Sequence, residues 1–260
     1  MNSEKVLPKL ARVFRCQASH LTLRSLAPRC TTIGSDPGVR LITDGIKGRD
    51  YNSFAVASVR KGRSVIERGP TTEDEMVVAF LQAELSSSRY ERHIRKGLAD
   101  LGAKSRVIEQ PNLADQLEND MRRWLLSYRG YPLRAGLFTN FPHDVQWRRV
   151  ELDLADLRDL RYIRHPNWTN LSNGTRLVQD GALSVREHSS DPRFEQIVGI
   201  AEGIRNGVCF PALIAVQNES DYLVLVEGHS RATAYVFESF GETVEAFVGS
   251  SASMKDWPFY

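Results

Sequence analysis

The chain has 260 residues, 42% hydrophobic and 25% charged, with a formal net charge of +2; that is length enough for a packed core and the composition of a globular protein rather than a fibrous or disordered one. No apolar run approaches the roughly 20 residues of a membrane helix, so no transmembrane segment or membrane partner is expected, and the expected compartment is cytoplasmic. Cys16, Cys30 and Cys209 are odd in number and fall in no metal-ligand spacing, which argues for a reducing compartment without a disulfide framework.

Charge divides the chain. Residues 1–70 carry 13 Lys and Arg against 5 Asp and Glu, and the remainder carries 21 against 27. A basic front can release counterions from a nucleic-acid backbone, lie as a solvated arm on the acidic body, or form an extension with little structure. Arg12, Arg15, Arg24 and Arg29, with no acid among them, loosely resemble a transit peptide, although Glu4 and the lack of a cleavage pattern argue against it. No apolar segment of a secretory signal follows the start. Val39–Thr43 and Ser53–Val59 are candidate strands in a region expected to be weakly structured or built of small strands.

From Thr71 the pattern becomes helical through about residue 145. Thr71-Thr72-Glu73-Asp74-Glu75 is a helix start, and Met76, Val77, Phe80, Leu81 and Leu85 recur at helical spacing. The pattern breaks near Ser86-Ser87-Ser88 and resumes through Ile94, Leu98 and Leu101. A second helix is expected from Pro111 to Gly130, with Leu117, Met121, Trp124 and Tyr128 on its apolar stripe. Glu84, Arg89, Asn119, Arg122, Arg123, Arg129, Arg134 and His143 are charged or polar residues that either line a cleft or solvate helix faces through i,i+4 pairs. A third region, 146–260, alternates strands and helices: a strand at Trp147–Leu152, a helix at Asp153–Tyr162, an irregular stretch at Trp168–Leu183, a helix from Asp191-Pro192 to Asn206-Gly207, strands at Phe210–Val216 and Tyr222–Val226, a helix at Arg231–Phe240, and a strand at Val244–Val248.

The junction Val224-Leu225-Val226-Glu227-Gly228-His229-Ser230-Arg231 carries the chemistry. An apolar strand ends at Gly228, which permits a tight turn into a helix. The helix start presents unpaired amides and a positive dipole end, and Arg231 adds donors suited to phosphate oxygens. Together these parts make an anion site. Ser230 reads as a cap or phosphate donor, Thr233 as a first-turn packing residue or ligand contact. Arg176, in the polar turn Asn173-Gly174-Thr175-Arg176, reads as a second phosphate contact or a surface-turn residue.

In this order of elements, Gly228, Arg231 and Ala234 resemble the Gly-x-x-Arg-x-x-Ala phosphate signature of the ParB/sulfiredoxin superfamily, over residues 146–260. The resemblance implies an α+β fold, a small mixed sheet with packed helices, preceded here by the mainly helical region. It also implies a nucleoside di- or triphosphate ligand with Mg²⁺. Sulfiredoxins have a cysteine where this chain has His229, so their repair chemistry is not expected. No helix-turn-helix follows the module, which argues against a chromosome-partitioning clamp. Gly228-His229-Ser230-Arg231 is nearest to the Gly-His-His-Arg turn of free-serine kinases of the superfamily, departing at Ser230. Phosphoryl transfer or nucleotide hydrolysis is therefore the expected activity, with Gly228, Ser230, Arg231, Thr233 and Arg176 as ligand contacts. Glu227 would accept a hydroxyl proton or hold the metal, and His229 would steady the phosphoryl or leaving group. The alternatives are a non-enzymatic nucleotide-gated module that docks DNA or protein, and a nuclease-like DNA binder using the basic front.

Overall fold

A computed structural model describes residues 65–219 and 222–260. The candidate strands at Val39–Thr43 and Ser53–Val59, and the rest of the basic front up to residue 64, lie outside the described residues. The described part is mixed α and β, with a five-stranded sheet in the order β1-β2-β5-β3-β4. Its strands are β1 (Ile66–Pro70), β2 (Gln146–Leu152), β3 (Leu213–Gln217), β4 (Val224–Glu227) and β5 (Val244–Ser250). Three pairings are antiparallel, and β3 runs parallel to β5.

Alternation along the strands builds two cores. On β3 and β4, Ile214, Val216, Val224 and Val226 face one side, while Leu213 and Leu225 face the other. Both faces are covered, which is why these strands read as continuous apolar runs. The first face packs on α1 (Glu73–Leu85), α2 (Glu91–Asp100), the single-turn α3 (Arg106–Glu109) and α4 (Gln116–Leu125). The second packs on α5 (Leu154–Asp159), α6 (Pro166–Leu171), α7 (Val178–Glu187), α8 (Glu195–Arg205) and α9 (His229–Phe237). The helical region and the strand-rich region thus share one core through Phe80, Ile94, Ile214 and Phe247.

Local chemistry explains the boundaries. Thr72 and Glu75 form a reciprocal capping box at the start of α1, and three acids sit in its first turn. Almost the whole circumference of α1 is buried, as expected of a helix enclosed by neighbours. Asp115, rather than Pro111, caps α4, whose register then tightens into a 3₁₀ turn over Leu126–Arg129. Asp153 caps α5, but that helix ends at Asp159. The following Arg161 instead pairs with Leu177 on one side and, in parallel, with Val224 on the outer edge of β4.

The stretch 168–183, read from sequence as irregular, is mostly helical. Pro166 occupies the first turn of α6 behind His165, whose ring accepts the Asn167 amide. Gly181 interrupts the sequence signal of α7 for a packing reason: a Cβ there would lie 2.2 Å from the Tyr162 hydroxyl. Among the described residues, no helix is long and apolar enough to cross a membrane.

Candidate functional site

The turn from β4 to α9 opens on a cleft of about 550 Å³, a size typical of small-molecule sites. Gly228 makes the turn with φ +94°, and a Cβ would meet the Leu213 side chain at 2.5 Å and the Arg231 guanidinium at 3.2 Å. Glycine is required on both counts. Gly228 offers no side-chain cap, so the first-turn amides of α9 keep their donor capacity, and Ser230, also on the cleft wall, is not the helix cap.

His229 lies in the first turn, only 7% exposed. Its ring is nearly parallel to those of Trp168 (centroids 4.8 Å apart, 15°) and Tyr162 (6.1 Å, 20°). Burial, reinforced by the charges of Arg129, Arg231 and His165, pushes its pKa down to about 3. The imidazole is therefore neutral near pH 7, and its buried Nε2 lacks a hydrogen-bond partner. A neutral ring can position or share a proton with a ligand, but it cannot offer a cation to a phosphate.

Arg231 is largely committed to the protein. Nη1 donates to the carbonyl of Pro211 and, at 3.1 Å, to that of Ala212, while Nη2 donates to Glu227 at 3.4 Å. The side chain borders the cleft but braces the turn against the entry to β3. Thr233 is fully buried, donates back to the His229 carbonyl at 2.8 Å and pairs with the Tyr162 hydroxyl at 2.7 Å. It steadies the aromatic trio and does not border the cleft. Arg176 also lies away from the cleft wall. It has positive φ, and its guanidinium donates to the carbonyls of Tyr162 (2.9 Å) and Phe259 (3.4 Å). Burial and the neighbouring Arg164 lower its pKa to about 10.

The helical layer supplies the opposite wall: Ser86, Ser87, Ser88, Arg89, Tyr90 and Arg129. Arg129 ends the 3₁₀ turn after α4, and its guanidinium sits 4.6 Å over the Tyr90 ring and 5.7 Å over that of Phe80. Its Nη1 is 3.5 Å from Glu84, which is 1% exposed and has both carboxylate oxygens without a hydrogen-bond partner. Burial and the charge of Glu227 push the Glu84 carboxyl up to about 7, against the opposing pull of Arg129. The buried Tyr128 hydroxyl faces the same carboxylate and is shifted upward, by burial and then by Glu84.

These carboxylates do not assemble a metal site on their own. Glu227 faces Arg231 and stands in the field of Arg129, and two guanidiniums repel a divalent cation. Among the described residues, no three His, Cys, Asp or Glu gather as a metal-binding group.

Sequence reasoning placed Glu227, Gly228, His229, Ser230 and Arg231 together, and all five border the cleft. Trp168 is legible in sequence only as the start of an irregular stretch, and Glu84 and Arg129 stand among many charged or polar residues. The signal for Glu84 was present: it follows Phe80 and Leu81 at helical spacing, an acid on an apolar stripe. Asn119 and Arg122, from the same group, form a separate structural network. Arg122 is fully buried and donates to Val107 (2.7 Å), Asn112 (3.2 Å), Asn119 and Glu118.

Comparison with protein-family models, curated proteins and solved structures returned no match for this chain.

Proposed function

We propose that this chain is a phosphate- or nucleotide-binding protein of ParB/sulfiredoxin type that carries out phosphoryl transfer or nucleotide hydrolysis. One observation carries the reading: the uncapped start of α9, behind a glycine turn, opens on a cleft that also has guanidiniums on its walls. Oriented amides and nearby cations are the groups that neutralise transferring phosphate. The strand, turn and helix at Val224–Phe237, with β5 returning beside β3, also support the superfamily resemblance.

In this reading the phosphates lie against the amides of His229, Ser230 and Arg231. Trp168, Tyr90 and Phe210 offer apolar surface to a base. Glu227 accepts the proton of the attacking hydroxyl or water as the new P–O bond forms and the nucleoside di- or monophosphate leaves. Neutral His229 orients an oxygen through Nε2. A divalent cation accompanying the nucleotide would be held mainly by its phosphates.

A second reading, a phosphate-gated docking module without chemistry, is favoured by the Glu227–Arg231 ion pair and the low basicity of His229. Thermal-shift measurements with ADP and ATP, with and without Mg²⁺, test the common part. At 100 times Kd a ligand stabilises by about 2.7 kcal/mol, so no shift at millimolar nucleotide rejects both readings. Glu227→Gln separates them: it abolishes phosphate release but keeps binding if the protein is an enzyme.

A further inference from the structure

Of the three arginines that border the cleft, Arg89, Arg129 and Arg231, the last two act on His229 beside the glycine turn, and their circumstances differ. The Arg231 guanidinium already serves two carbonyls and a carboxylate. Arg129 has as its ion-pair partner Glu84, 3.5 Å away, beyond the length of a good charge-assisted hydrogen bond. Its side chain is 16% exposed and held over two aromatic rings, which restricts the plane of the fork. Glu84 is the more unusual partner, a buried carboxylate without a hydrogen bond of good geometry, faced by the Tyr128 hydroxyl besides Arg129. Leaving such a group unsatisfied costs free energy, so the pair is poised for rearrangement.

We infer that Arg129 is the principal side-chain anchor for the terminal phosphate of the ligand, and that Glu84 is a positioning residue that holds this guanidinium at the cleft wall. This rests on the phosphate-binding reading above. When a phosphate engages Arg129, Glu84 loses its main counter-charge while Glu227 still faces it. The remaining groups around it are Tyr128 from the 3₁₀ turn and Arg89 from the turn before α2. Glu84 then takes up a proton from solvent, and ligand binding above neutral pH is coupled to proton uptake. The helical region thereby becomes part of the recognition site, supplying the anchor that the strand-to-helix turn lacks.

Isothermal titration calorimetry with ADP and with inorganic pyrophosphate tests this, each in two buffers of different ionisation enthalpy at pH 8. The wild-type protein is expected to bind with uptake approaching one proton. Arg129→Lys keeps the charge but loses the fork, and is expected to weaken binding at least about tenfold without changing the circular dichroism spectrum. The double variant Arg129→Gln/Glu84→Gln removes both buried charges together and guards against misfolding of the single variant. It should weaken binding comparably. Glu84→Gln alone should weaken binding of both probes less than Arg129→Lys does, and abolish the proton uptake. Wild-type affinity in both Arg129 variants, or unchanged uptake in Glu84→Gln, overturns the inference while leaving the phosphate reading intact. Failure of the wild-type protein to bind either probe overturns both.

Discussion

Replacing Gly228 with alanine should disable the site and measurably weaken the fold, and two separable causes set the size. The backbone there has φ +94°, where an L residue costs about 1–2 kcal/mol. The new Cβ would also meet Leu213 Cδ2 at 2.5 Å and Arg231 Nη2 at 3.2 Å. Leu213 is fully buried on β3, so it can yield only by disturbing a packed core, at about 1–3 kcal/mol. The sum is roughly 2–5 kcal/mol, a fall in Tm on the order of 4–20 °C for a domain of this size. Gly102→Ala is the control: φ is +63° and nothing lies within 4 Å of its Cβ, so it bears the backbone cost alone. Denaturant unfolding of both variants gives the difference directly. If Gly228→Ala were no more destabilising than Gly102→Ala, the claim that this turn is sterically closed by Leu213 and Arg231 would be refuted.

Gly181→Ala should destabilise by about 1–3 kcal/mol through collision with Tyr162, and Tyr162→Phe should relieve part of it, read in a double-mutant cycle of unfolding midpoints. Arg122→Ala should cost about 3–5 kcal/mol, because it strips a fully buried guanidinium from Glu118 and from three further acceptors; equilibrium denaturation measures it, and a change under about 1 kcal/mol would contradict the network. Stability against pH should show two opposing slopes. Glu84, raised from 4.5 to about 7, binds more protons folded than unfolded, so its contribution falls as pH rises across that window. His229, lowered from 6.5 to about 3, binds more protons unfolded, so its contribution falls as pH drops across that window. Each slope is about 1.4 kcal/mol per pH unit at most, and they offset between roughly pH 4.5 and 6.5. Glu84→Gln should expose the rising slope and His229→Gln the falling one; two flat profiles would contradict both burial arguments.

Strands β2 to β5 and helices α5, α8 and α9 were legible because their signals are local. Val224-Leu225-Val226 followed by glycine announces a strand and a turn, and the spacing of Ile197, Ala201 and Ile204 announces α8. The stretch around α6 and α7 was not legible. Gly174 and Gly181 resemble loop punctuation in sequence, and the contact that demands Gly181 comes from Tyr162, which no local window contains. The site divides in the same way. Its turn could be read from eight consecutive residues, whereas the pairing of Glu84 with Arg129 joins residues 45 positions apart in sequence. Nor could sequence anticipate that Arg231 would be drawn onto Pro211 and Ala212, because that depends on where β3 enters the sheet.

The strand leading into the site is the outermost on its side of the sheet, but its outer edge is occupied. The Arg161 amide donates to Leu223 and its carbonyl accepts from Leu225. A foreign chain seeking to extend the sheet on that side would first have to displace this clasp, and with it the neighbouring Tyr162 that stacks beside His229. The segment of Arg161 and Tyr162 therefore guards against strand-mediated aggregation and keeps the ligand turn in shape.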